Sequence, residues 1–465
     1  MKFLLLFSLL FAAPLVAAEK PNILVILADD CTHSDLSFHG GENARTPNLD
    51  GLAKQGTVFE RAYLSMSMCS PCRSEFYTGR LPLRNGCAWN QGASRPGTRS
   101  IPHFLGELGY RVGLAGKTHI KPAGSFPFEQ VPGFDENCVR EPTRAHDLSG
   151  TRKFLTRDDK QPFCLVVALT EPHAPWVMGD ASAYPPRSLK LPPYLADTPM
   201  TRQSFSRYLA EITYMDGQVG ELVALLDETK LSGNTLVLFS SEQGAQFPGN
   251  KWTNWDSGLH TSIVARWPKV VPAGRRTKAL VQYADVLPTF IELAGGKPDP
   301  AIFDGSSFAP VLRGESERHR EFVHGMHNNY PEGPPYPIRS IGDGEWRYIR
   351  NLAPERTYIE KHLMGRTEHN PYWGSWMFTA TETPRTLRLV ERFLHRPAEE
   401  LYHTAADRFE MTNLAADPKH AETKARLAAA LDRNLKEQLD PGIPLDTPDA
   451  FEAAEKLKPA YPGKP

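Results

Sequence analysis

Three short stretches of the chain are apolar at nearly every position: residues 22–28 (NILVILA), 163–169 (FCLVVAL) and 235–239 (TLVLF). Unbroken runs of this length predict strands covered on both faces, as in a parallel sheet, rather than the alternation of a half-exposed strand. Each run stops at polar residues: Asp29 and Asp30 after the first, Glu171 and His173 after the second, Glu242 and Gln243 after the third. Ligand and active sites of open α/β sheets gather at the C-terminal ends of strands. Between the runs, apolar residues recur at helical spacing over 46–55, 101–108 and about 204–226. This alternation predicts an α/β sandwich with a large, mostly parallel central sheet flanked by helices. Residues 172–199, rich in Pro and Gly, are expected to form a surface excursion near the strand ends.

The pattern changes after about Ala309. Residues 345–350 and 400–403 read as short strands, and 415–439 repeats Ala, Leu and charged residues at helical spacing. The expected division is a catalytic domain over 19–309 and a smaller C-terminal α+β subdomain over 310–465, its proline-rich tail after Asp440 lying along the surface. At the other end, Lys2, a short apolar run and Val16-Ala17-Ala18 predict a signal peptide over 1–18, with Glu19 as the mature start. The protein is therefore expected to be exported, periplasmic or secreted, with no membrane anchor after cleavage. Lys and Arg number 53 against 54 acidic residues. That balance argues against a nucleic-acid partner held by bulk charge, and leaves room for a small anionic substrate. Six cysteines are too few for a disulfide scaffold, and their pairing does not follow from spacing.

The chemistry-bearing segment is Met68-Cys69-Ser70-Pro71-Cys72-Arg73, continued by Thr78-Gly79-Arg80. A redox reading of Cys69-x-x-Cys72 lacks a surrounding thioredoxin-like unit. Around the segment stand, in order, Asp29-Asp30, Thr46-Pro47-Asn48-Leu49-Asp50, Gly109-Tyr110, Gly116-Lys117-Thr118-His119, Pro132-Gly133-Phe134-Asp135, Pro172-His173-Ala174-Pro175 and Glu400-Leu401-Tyr402. With this ordered set and its C-x-P-x-R core, the chain resembles the formylglycine-dependent sulfatase family over most of its length. The resemblance implies an alkaline-phosphatase-like fold. It implies that Cys69 is oxidised to formylglycine by a formylglycine-generating or anaerobic sulfatase-maturating enzyme. The hydrated aldehyde would attack sulfur with one hydroxyl, and the second hydroxyl would drive release of sulfate. A helix expected to begin at Ser74 to Phe76 would bring its N-terminus near the reacting group.

The same resemblance implies one divalent cation, Ca2+ by preference, held by Asp29, Asp30, Glu242, Gln243 and the group made from Cys69. The family more often has Asp followed by Asn or His where this chain has Glu242 and Gln243, and Ser where it has Cys72. Arg73 is matched to a residue that steadies the formylglycine, Lys117 to a sulfate contact and His119 to a base. His173 and Lys251 are matched to the leaving-group side. Two regions, 241–252 and 336–352, resemble heparan N-sulfatases (sulfamidases) and their bacterial relatives. They imply a sulfated carbohydrate substrate, a glycosaminoglycan among the choices, carrying O- or N-sulfate. His33, Trp176, Trp252, His260 and His327 are candidate substrate residues. The rival readings are a phosphodiesterase or phosphonate hydrolase of the same superfamily, and a catalytically inactive carbohydrate-binding homologue, to which only Glu242 and Gln243 lend support.

Overall fold

The computed structural model describes residues 20–365 and 370–456, so the expected signal peptide lies outside the described residues. Among them, no helix is long and apolar enough to cross a membrane. The larger sheet is built from β1 (Asn22–Ala28), β2 (Thr57–Tyr63), β3 (Arg111–Gly116), β4 (Glu129–Val131), β5 (Phe163–Ala168), β6 (Thr235–Ser241), β7 (His260–Arg266), β8 (Arg275–Thr277) and β9 (Val281–Gln282). Its order is β4-β3-β5-β1-β6-β7-β2-β8, with β9 also pairing to β2. The strands from β4 to β6 run parallel, and β7 is antiparallel to both β6 and β2.

The unbroken apolar runs follow from this placement. Ile23, Val25 and Leu27 of β1 enter one core, while Leu24, Ile26 and Ala28 enter the other. Neighbouring β6 splits the same way, with Leu236 and Leu238 on one face and Val237 and Phe239 on the other. Each such side chain contributes about 1.5–3 kcal/mol of burial relative to exposure. The helix Pro199–Glu228 covers one face. Helices Cys69–Thr78 and Val286–Leu293 cover the other.

A second, smaller sheet is antiparallel throughout, in the order β10 (Val323–His327), β11 (Ile338–Gly342), β12 (Trp346–Asn351) and β13 (Glu399–His403). The helix Ala421–Glu437 packs on it through Leu427 and Leu431. Helix Pro371–Ala380 turns back to the long helix instead, where Trp376 Nε1 donates to Thr201 Oγ1 at 2.8 Å.

Two expectations are corrected. The long helix starts at Pro199 rather than near 204, because Thr198 caps it, accepting from Thr201 N at 3.1 Å, and Pro199 fills the first turn. The helix after the C-x-P-x-R core starts at Cys69 itself, not at Ser74. It stops at Gly79, whose φ of 65° and contact with Phe303 (2.8 Å from an added Cβ) exclude a side chain. The described part of the tail after Asp440 lies along the surface and is anchored at one point: buried Asp446 accepts from the backbone N–H groups of Asn329, Tyr330 and Tyr336 at 2.9, 2.8 and 2.6 Å.

Candidate active site

Four neighbouring strands, β3, β5, β1 and β6, end side by side, and the residues that follow them form one floor. Backbone hydrogen bonds extend the ladder just beyond the strands: Asp29 N–H donates to Glu171 O at 3.0 Å, Glu242 N–H to Ala28 O at 2.9 Å and Lys117 N–H to Ala168 O at 2.9 Å. Register therefore fixes Asp29, Lys117 and Glu242 relative to one another. Cys69 enters from the helix on the sheet's flank, as its first residue, where unpaired N–H groups favour an anion. Its Sγ lies 3.9 Å from Asp29 Oδ1, 4.0 Å from Asp30 Oδ1 and 3.3 Å from Gln243 Nε2.

Every charge on this floor is buried and paired. Lys117 Nζ donates to Asp29, Lys251 Nζ to Asp30 Oδ2 at 2.7 Å, and Arg73 pairs with Glu242 while donating to Lys117 O at 3.0 Å. Burial opposes ionisation of the Cys69 thiol, but Lys117 and Lys251 outweigh it and hold the thiol well below its usual range. The two imidazoles are driven apart. Burial and Lys117 push His119 down to about 4. Burial also opposes charge on His173, yet Cys138 and Asp30 outweigh it and raise that imidazole well above its usual value. Such divergence sorts a neutral base from a charged acid. Asp30 and His119 also hold left-handed backbone, with φ of 56° and 44°, conformations that non-glycine residues keep where surrounding structure enforces them.

The donor set suits a hard divalent cation. Ligand atoms of Asp29, Asp30, Cys69 and Glu242 all lie within 4.8 Å of one another. Burial raises the Asp30 and Glu242 carboxyls, against the opposing pull of Lys251 on the first and Arg73 on the second. Gln243 completes the set: its Nε2 donates to Asp30 Oδ1 at 2.6 Å and its Oε1 accepts from Cys72 Sγ at 3.2 Å. Rotation of the amide exchanges these two atoms and turns an oxygen toward the carboxylates. Two of the three departures from the family pattern, Cys72 and Gln243, thus touch each other.

Above the floor opens a cavity of about 350 Å³, within the range of small-molecule pockets. Cys69, His119, His173 and Lys251 line it, together with Asn90, Asn137, Cys138, Gln246, Trp252 and His362.

Residues 21–296 match the model of the sulfatase family, and residues 249–352 match that of the N-sulphoglucosamine sulphohydrolase C-terminal region. The chain belongs to the sulfatase family. It is 33% identical over 445 residues to an ulvan-active sulfatase of Formosa agariphila, covering 93% of this chain and 84% of the relative. It is 27% identical over 503 residues to human N-sulphoglucosamine sulphohydrolase, covering 97% and 96% of the two chains. Among solved structures, a protein in complex with its substrate D-glucosamine-2-N,6-O-disulfate superposes with a TM-score of 0.70 at 19% identity, covering 91% of this chain and 99% of that one. The phosphonate monoester hydrolase of Agrobacterium radiobacter shares the fold at a TM-score of 0.68 and 19% identity, covering 90% and 96%. Members of the sulfatase family typically use formylglycine and a divalent cation.

Cys69, Arg73, Lys117, His119, His173 and Lys251 converge as the motifs imply, although Arg73 reaches Glu242 and the Lys117 backbone. Of the five candidate substrate residues, only Trp252 lines the cavity. Trp176 packs flat against Phe247 with its centroid 4.7 Å away. His33 stacks on His260 at 3.6 Å, and His260 is tied to Asp256 and to Glu60 O. His327 is fully buried beside Tyr358. Sequence reading missed Asn137 and Cys138, which the adjacent Pro132–Asp135 motif could have flagged. It also missed Asn90, Glu332 and His362, which carry no local signal.

Proposed function

We propose that this chain is an exported sulfatase that removes sulfate from a sulfated sugar residue. The observation that carries the reading is Cys69, set at a helix N-terminus among three buried carboxylates and two lysines, and opening into a pocket sized for a small ligand. A formylglycine made at position 69 by a maturating enzyme would supply the nucleophile, and Ca2+ held by Asp29, Asp30, Glu242 and Gln243 would offset the charge of the sulfate. Around them the chain's own residues divide the work. Lys117 and Lys251 add positive charge where the sulfate sits. Neutral His119 accepts a proton on the side of residue 69. His173 carries one for the departing atom; its Nε2 lies 3.4 Å from Lys251 Nζ. Arg73 holds the Glu242 carboxylate in place.

The two relatives act, by their names, on ulvan and on N-sulphoglucosamine, which supports a glycan substrate with an O-sulfate or an N-sulfate. The test is sulfate release from a panel of defined sulfated oligosaccharides, ulvan fragments and N-sulfoglucosamine, using protein produced with a maturating enzyme. Release from at least one member, absent in C69A, is expected. Equal release by C69A, or turnover of phosphonate esters alone, would overturn the reading.

A further inference from the structure

Trp252 lines the cavity, yet its indole Nε1 is buried without a hydrogen-bond partner. Its side chain is otherwise fixed on every count. Its backbone is left-handed, with φ of 64°, a conformation that a bulky residue keeps only when its surroundings enforce it. Trp252 N–H donates to Ser67 O at 3.0 Å, and Tyr358 donates its hydroxyl to Trp252 O at 2.7 Å. The His362 ring stacks on the indole at 5.4 Å and 9°, and Lys251 Nζ lies 4.8 Å from the indole centroid. His362 is oriented in turn by buried Glu332, Nε2 to Oε2 at 2.5 Å, and the same carboxylate accepts from Asn90 Nδ2 at 2.6 Å.

We infer that Trp252 is a specificity-determining residue whose indole N–H donates to an uncharged oxygen of the leaving sugar, and that Glu332 and His362 are the positioning residues that hold the ring. The inference rests on the reading that the leaving group is a sugar. An indole N–H only donates, so its partner is an acceptor oxygen. Glu141 lines the cavity, and Glu332 stands behind that wall, its carboxylate taken up by Asn90, His362 and Lys361. The substrate class that fits is a sulfated sugar whose hydroxyl or ring oxygen neighbours the sulfated position. Trp252 follows Lys251, which places this contact on the leaving-group side.

The experiment compares kcat/KM of matured wild type and W252F on the best monosulfated sugar of the panel and on 4-nitrophenyl sulfate, which offers no hydroxyl. Phenylalanine keeps the ring and removes the donor. The ratio of sugar to aryl activity should fall about tenfold or more in W252F. The desulfated sugar should inhibit W252F more weakly by a similar factor. E332Q should lower the same ratio, and W252F/E332Q should be no worse than W252F, because the second residue acts through the first. If W252F does not fold, H362A carries the same comparison. An unchanged ratio or equal losses on both substrates overturns the proposal while the carbohydrate reading stands. A wild type that releases sulfate from no sugar overturns both.

Discussion

Two imidazoles share one pocket and are driven in opposite directions, His119 down to about 4 and His173 upward. A charged acid matters most when the departing oxygen is a poor leaving group. H173A should therefore lose about ten- to a thousandfold more kcat/KM on a sugar sulfate than on 4-nitrophenyl sulfate. K117A should harm both alike, since it acts on the group they share. Equal losses for H173A would place the acid elsewhere. These side chains were legible because each stands inside an ordered motif with a strand end beside it. His362 and Glu332 were not: His362 sits in the single helical turn Lys361–Met364 and Glu332 in a turn, and only the tertiary contacts that join Glu332 to His362 and His362 to Trp252 give them meaning. The contact between Cys72 and Gln243 was hidden for the same reason, although both residues could be singled out in the sequence.

At the level of elements, the central strands announced themselves because burial on both faces demands continuous apolar sequence. β8 and β9, of three and two residues, are too short to leave a pattern, and β7 (HTSIVAR) carries polar residues that obscure it. The small sheet is joined to the larger body through charge. Arg347 on β12 donates to Asp256 Oδ1 at 2.8 Å and to Glu410 Oε1 at 2.9 Å, and all three are buried. R347A would remove from the interior the cation that both carboxylates share. It should destabilise the fold by about 3–5 kcal/mol, read from urea unfolding. A methionine of similar volume at that position removes the same guanidinium from both carboxylates and should not rescue it.

Across the whole molecule, the pocket wall depends on distant parts of the chain. Asp446, near the end of the described residues, holds the backbone of the loop that carries Glu332. Burial opposes ionisation of Glu332, but His362, Asn90 and Lys361 outweigh it and hold its carboxyl down to about 2. An unfolded glutamate titrates near about 4.3. The ionised side chain thus contributes stability that is fully present above that value and is lost as pH falls from there toward 2. The gap in Tm between wild type and E332Q should be widest near neutral pH and narrow progressively below about pH 4. A constant gap across that range would mean that the charge is unimportant. Cys69 is 3% exposed and held in a helix beneath Gln243, which gives the protein a timetable. A separate enzyme would have no access to a residue so enclosed, so the proposed conversion of Cys69 would have to finish before the chain closes. Folded protein carrying the thiol should stay unconverted when the maturating enzyme is added afterwards. The same protein, unfolded and refolded in its presence, should yield the aldehyde in the tryptic peptide from Ala62 to Arg73, as read by mass.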